Sequence, residues 1–173
     1  MINGIFWVEG PWTGRLGVAA RPRGGDWLQN EIASWRRDGI DTIVSLLTPE
    51  EEKEFVLEEE ISQARAQGMK FISVPVQDRQ VPDSEAQIEA VVHELDGALS
   101  AGKNVLIHCR QGIGRSGLLA ACLLVHHGDT PKAAVAALSK AHNAQVPETA
   151  EQRGWIDRYA SRVATADFHG GRR

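Results

Sequence analysis

Cysteine is scarce in this 173-residue chain: Cys109 and Cys122 are the only two. If a helix begins near Gly114, Cys122 lies roughly 12 Å along it at about 1.5 Å per residue. A disulfide needs its Cα atoms within about 7 Å, so the pair is not expected to be bridged, and Cys122 is expected in the core. Long apolar runs are missing too. No segment reaches the roughly 18 residues of a membrane span, and Met1-Ile2-Asn3-Gly4 has neither the basic stretch nor the apolar centre of a secretion signal. The expected setting is a reducing cytoplasm. The six histidines show no ligand spacing, and the adjacent His126 and His127 cannot share one helix face, so neither a metal nor a cofactor is expected. An excess of positive charge is also absent: a net charge of −4 and a pI near 5.9 argue against a general nucleic-acid or acidic-membrane binder. No repeat or low-complexity linker interrupts the chain. With 42% hydrophobic residues it is long enough for one core, read as a single domain over 1–164 with a polar tail, 165–173, expected to fray.

What is present is an alternation of strand-like and helix-like segments. Ile5 to Val8, Leu16 to Ala20, Ile40 to Leu47, Lys70 to Val76 and Asn104 to His108 read as short strands. Between and after them, Asp26 to Arg37, Pro49 to Gln67, Ser84 to Ser100, Arg115 to His127, Thr130 to Ala141 and Pro147 to Ala164 read as helices. Thr48-Pro49-Glu50-Glu51 supplies an N-cap, a proline at the first helical position and a capping-box glutamate. This order implies an α/β fold with a central, mostly parallel sheet flanked by helices, whose ligands gather at the carboxyl ends of strands. The seven glutamates among residues 50–60 read as a solvated acidic helix face. Of the five tryptophans, core packing is the expected use.

The segment that carries chemistry is His108-Cys109-Arg110-Gln111-Gly112-Ile113-Gly114-Arg115-Ser116. It reads as a strand end, a tight loop and a helix start. Gly112 and Gly114 let successive N–H groups point into one concavity, and the helix dipole adds positive potential, so the loop suits an oxyanion. The same field favours a thiolate at Cys109 and makes it nucleophilic. At the other end Arg115 offers a planar fork that grips two phosphate oxygens, as a lysine cannot. Gly112 to Gly117 also spells a dinucleotide fingerprint, but the helix is followed by Gly128-Asp129-Thr130-Pro131 instead of the second strand that fold requires. The loop lacks the lysine of nucleotide-triphosphate loops.

His-Cys-x5-Arg-Ser resembles the signature loop of the cysteine-dependent protein tyrosine phosphatases, in their dual-specificity branch. The resemblance covers roughly Ile40 to Ala160. It implies that Cys109 forms a phosphocysteine, that Arg110, Gln111, Gly112, Ile113, Gly114 and Arg115 bind the phosphoryl group, that Ser116 assists the thiolate's departure and that His108 orients the loop. The family also needs a general acid. Asp78, in Val76-Gln77-Asp78-Arg79-Gln80-Val81-Pro82, matches its acid loop, while Asp83 is read as the cap of the next helix. Glu148-Thr149-Ala150-Glu151-Gln152 is similar to the family's Gln-Thr-x-x-Gln element, with Glu148 in place of the first glutamine. Gln152 is therefore read either as a holder of the hydrolytic water or as a polar helix residue. Arg110 is read either as a substrate contact or as a solvent-facing side chain. The expected substrate is a phosphorylated protein or another phosphomonoester, without nucleic-acid or membrane partners. A phosphate-dependent binding module and a sulfurtransferase are the alternatives. Gln111 and Ile113 stand where the lipid-directed branch carries lysines.

Overall fold

The structure, a computed structural model, describes residues 4–170, with side chains to residue 166. The leader-free reading of Met1 to Asn3 and the last three residues of the polar tail lie outside the described residues. Five strands, β1 (Ile5–Val8), β2 (Leu16–Ala20), β3 (Thr42–Ser45), β4 (Lys70–Ser73) and β5 (Val105–Cys109), form one sheet in the order β1-β2-β5-β3-β4. Only β1–β2 is antiparallel; the other three pairings are parallel. The helices are α1 (Leu28–Arg37), α2 (Pro49–Glu54), α3 (Glu60–Ala66), α4 (Glu85–Ser100), α5 (Arg115–His126), α6 (Pro131–His142) and α7 (Ala150–Gly170). Among the described residues, no helix is long and apolar enough to cross a membrane.

The sheet divides two cores. Strand side chains alternate between faces, so on β5 Val105, Ile107 and Cys109 join residues of α4 to α7, whereas Leu106 joins residues of α1 and α3. His108 lies on that second side, its ring 5.8 Å from that of Trp35. Helix α5 is buried on every side from Arg115 to Val125, and each enclosed leucine contributes about 1.5–3 kcal/mol. Cys122 is free and fully buried, and that burial pushes its thiol far above the usual range. Trp12, Trp35 and Trp155 are buried, as expected; Trp27 is 56% exposed.

Several boundaries differ from those read in the sequence, for identifiable reasons. Strand β3 begins only at Thr42 because the Ile40 N–H is taken by the Trp35 carbonyl at the end of α1. Strand β4 ends at Ser73, two residues before Pro75, which has no N–H to offer a ladder. Before α1 a 3-10 turn, Gly25–Trp27, occupies the expected helix start. The last helix starts at Ala150, where the Thr149 hydroxyl accepts from the Gln152 N–H, and continues past Ala164 to Gly170.

The larger correction concerns residues 49–67, which are two helices instead of one. The Thr48 capping box forms as expected, but the chain breaks after Phe55, where Val56 takes φ +56. A β-branched residue in the left-handed region costs about 1–3 kcal/mol. Burial of Leu57 in the core cluster that also holds Leu28, Ile32 and Ala64 offsets that cost. The break also overturns the reading of a fully solvated acidic face: Glu51 and Glu60 are buried, although Glu50, Glu54, Glu58 and Glu59 are exposed.

Candidate active site

Cys109 is the last residue of β5 and Arg115 the first of α5, so the loop between them spans a strand end and a helix N-terminus. Gly112 has φ +76, and a Cβ there would come within 2.6 Å of the Ala19 backbone, so glycine meets both a conformational and a steric demand. From this position the Gly112 N–H donates to Cys109 Sγ at 3.3 Å. Ser116 Oγ lies 3.2 Å from the same sulfur. The Ile113 side chain packs against the larger core, leaving its backbone to the loop. Cys109, Arg110, Gln111, Gly114 and Arg115 line a cavity of about 170 Å³ together with Asp78, Arg79 and Glu148.

Arg115 is 2% exposed and held from three directions. Its Nη1 donates to Glu51 Oε2 and to the Val76 carbonyl, both at 2.7 Å. Its Nη2 donates to Glu51 Oε1 at 2.9 Å and to Asp78 Oδ1 at 3.0 Å. Burial works against the charge on each partner of the Arg115–Glu51 pair, but the two-pronged hydrogen bonding outweighs it. Glu51 is held below the usual glutamate range and Arg115 is raised further. The capping box assists, because Glu51 Oε2 also accepts from the Thr48 N–H at 3.0 Å.

Asp78 thus lies at the cavity, paired with the guanidinium. Asp83 lies outside it, and the cap of α4 is Ser84, whose hydroxyl accepts from the Gln87 N–H at 3.1 Å. His108 does not reach the cavity: it is fully buried, with Nε2 2.7 Å from Glu60 Oε1. Gln152 is fully buried as well. Its Oε1 accepts from the N–H groups of Glu148 and Thr149, both at 3.1 Å, and its Nε2 donates to the Gln80 carbonyl at 3.1 Å. Its amide therefore ties the loop that carries Asp78 to the start of α7. A second tie is Arg79 Nη1 to Glu148 Oε1 at 2.6 Å. Arg79 takes φ +62, a conformation that a non-glycine residue adopts at some cost.

Glu51, Arg79 and Gln80 were not expected at the site, nor was Glu60 expected beside the buried His108. For Glu51 a signal was present in the capping box, which fixes a carboxylate at a known place without saying what else it touches. Leu57, an apolar residue within the acidic run, was the available sign that the run turns inward.

Cysteine, arginine and aspartate converging on one cavity, at a strand-to-helix loop on the carboxyl edge of a mostly parallel sheet, match the cysteine-dependent phosphatase class. The family model described as "Polymorphic toxin system, DSP-PTPase phosphatase" matches residues 17–129, and the chain belongs to that family. Cyclin-dependent kinase inhibitor 3 of Sus scrofa is 33% identical over 92 residues, covering 52% of this chain and 43% of the relative. The aligned chain thus spans less than half the length of that relative. Among solved structures, kinase associated phosphatase with its catalytic-site cysteine replaced by serine has a TM-score of 0.85 at 24% identity, over 92% of this chain and 95% of that one. Tk-PTP in its active form has a TM-score of 0.78 at 23% identity, over 94% and 99%. At these identities the structural likeness concerns the fold.

Proposed function

We propose that the protein hydrolyses phosphomonoesters through a covalent phosphocysteine, acting on phosphorylated proteins at tyrosine and at serine or threonine. The observation that carries this reading is the convergence on one cavity of the Cys109 sulfur, the Arg115 guanidinium and the Asp78 carboxyl. In the free protein Asp78 occupies a donor of Arg115. A substrate phosphoryl group takes that place on the guanidinium, and the carboxyl then faces the leaving oxygen.

The Cys109 thiolate attacks phosphorus in line, forming an S–P bond as the P–O bond to the leaving group breaks. Loop N–H groups and Arg115 stabilise the equatorial oxygens, while Asp78 delivers its proton to the departing oxygen. Water then attacks phosphorus, Asp78 takes its proton and the S–P bond breaks, with Ser116 Oγ hydrogen-bonding the sulfur that leaves. Gln152 supports both steps by holding the acid loop. The protein groups whose bonds change in this scheme are the side chains of Cys109 and Asp78, and a reducing cytoplasm is the setting we propose for the thiolate.

The test is phosphate release from alkyl and activated aryl phosphates in wild type, Cys109→Ser, Asp78→Ala and Asp83→Ala. Cys109→Ser should be inactive while still binding vanadate or phosphate. Asp78→Ala should lose about 10²- to 10⁴-fold on alkyl esters and far less on aryl esters. Equal losses on both ester classes, or leaving-group dependence in Asp83→Ala instead, would remove Asp78 from the mechanism. A wild type that binds phosphate and releases none would make the protein a phosphate-dependent binding module.

A further inference from the structure

Beside the cavity two arginines gather on one aromatic ring. The Arg21 guanidinium carbon lies 3.9 Å from the centre of the Phe55 ring, and that of Arg110 lies 5.1 Å from it. Arg110 belongs to the catalytic loop and lines the cavity. Arg21 follows β2, and its N–H reaches the Arg110 carbonyl at 3.5 Å. Among the described residues, the Arg21 guanidinium donates to the Pro22 carbonyl at 3.1 Å and pairs with no carboxylate. The nearest carboxylate to Arg110 is that of Glu54 at 3.9 Å, a side chain 57% exposed.

The ring between them is held by the fold. Phe55 is the C-cap of α2, the helix whose Glu51 grips Arg115. The loop after β2 closes on it through Gly25 N–H to the Val56 carbonyl at 3.0 Å. A Cβ on Gly24 would collide with the carbonyl oxygens of Phe55 and Val56. Val56 itself is in the left-handed region, where backbone strain persists only if the surroundings impose it. The two cations are therefore pre-positioned with respect to the phosphoryl site, which lowers the ordering cost of binding. Two guanidinium groups held on one ring, on a protein of net charge −4, offer an anion two positive charges at once.

We infer that Arg21, Phe55 and Arg110 form a second anion subsite next to the catalytic cavity, and that it selects phosphorylated peptides with an acidic or phosphorylated side chain beside the scissile residue. The inference rests on the phosphatase reading and names its substrate class. A peptide is favoured over an anionic membrane because an extended lipid surface would have to meet the exposed Glu54, Glu58 and Glu59 of the adjoining segment together with the arginines, whereas one acidic side chain of a peptide can reach the arginines alone. The 56% exposed Trp27 and 57% exposed Val56 border the same loop and offer apolar contact to a peptide chain.

The experiment measures kcat/KM on three substrates: p-nitrophenyl phosphate, a phosphopeptide with acidic neighbours and the same phosphopeptide with neutral neighbours. Wild type should prefer the acidic peptide. Arg21→Ala should reduce the acidic-to-neutral ratio about tenfold, the equivalent of about 1.4 kcal/mol, and Arg21→Glu should invert it. The wild-type preference should also fall as salt is raised. Phe55→Leu, which keeps an apolar side chain at the helix end, should lower the ratio in the same direction. A wild-type ratio near one, or a ratio unchanged in Arg21→Glu, overturns the subsite. Preferred turnover of a bis-phosphorylated inositol over either peptide, lost in Arg21→Ala, overturns the peptide as its occupant. If wild type hydrolyses none of the substrates, including p-nitrophenyl phosphate, the phosphatase reading itself has failed.

Discussion

Helix α5 and the α2–α3 pair both bring charged side chains to the end of β5, but they hold them by different means. Helix α5 is enclosed on all sides, so the backbone of Arg115 is fixed by packing. The α2–α3 pair lies at the surface, and its two inward glutamates are fixed by hydrogen bonds to Thr48 and Arg115 at one end and to His108 at the other. Packing tolerates the loss of any one contact better than a buried charge tolerates the loss of its only partner. The comparison teaches that the rigidity of Arg115 comes from its helix, whereas the direction of its fork comes from a glutamate 64 residues earlier.

The largest effect should come from the arginine itself. Arg115→Lys keeps the charge but not the fork, and kcat should fall about 10²- to 10³-fold, the cost of removing an oxyanion donor. An unchanged kcat with only KM raised would mean that Arg115 binds ground and transition states alike.

Next comes Glu51→Gln, which keeps the shape of the side chain and removes its charge. Arg115 should then turn away from its working direction, lowering kcat by up to about 10²-fold, as misplacement of a reacting group by 1 Å can. Stability supplies a second readout. The Glu51 carboxyl is depressed below its ordinary value of 4.5, so its contribution is complete above that pH and is lost as pH falls through the lower folded-state value. Urea denaturation of wild type and Glu51→Gln should show a gap that is widest near neutral pH and narrows in acid. A gap independent of pH would place the pair's stabilisation elsewhere.

The smallest effects sharpen the contrast within the acidic run. Glu60→Ala leaves the buried His108 ring without the carboxylate it contacts and should cost about 1–3 kcal/mol in urea denaturation. Exposed Glu58→Gln should stay within about 0.5 kcal/mol. Similar values for the two would return Glu60 to the solvated face first expected of it.

Much of the site was legible because its pieces are local. Cys109, Gly112, Arg115 and Ser116 lie within eight consecutive positions, where one strand, one loop and one helix N-terminus fix their relations. Asp78 was legible only through its resemblance to an acid loop, since nothing in its neighbours says that the guanidinium of Arg115 lies 3.0 Å away. Arg79, Glu148 and Gln152 show the same limit: residues 69 to 72 positions apart meet there.

The sequence by itself determined the α/β order, the strand, loop and helix that carry Cys109 and Arg115, and the core position of Cys122, because strand alternation, glycine placement and apolar runs act over a few residues. Only the tertiary structure decided which glutamates of the acidic run turn inward, that Gln152 spends its amide on the loop that carries Asp78, and that Arg21 and Arg110 share the Phe55 ring. Charge and polarity make a side chain prefer water, and they do not say which distant partner replaces that water when the chain folds.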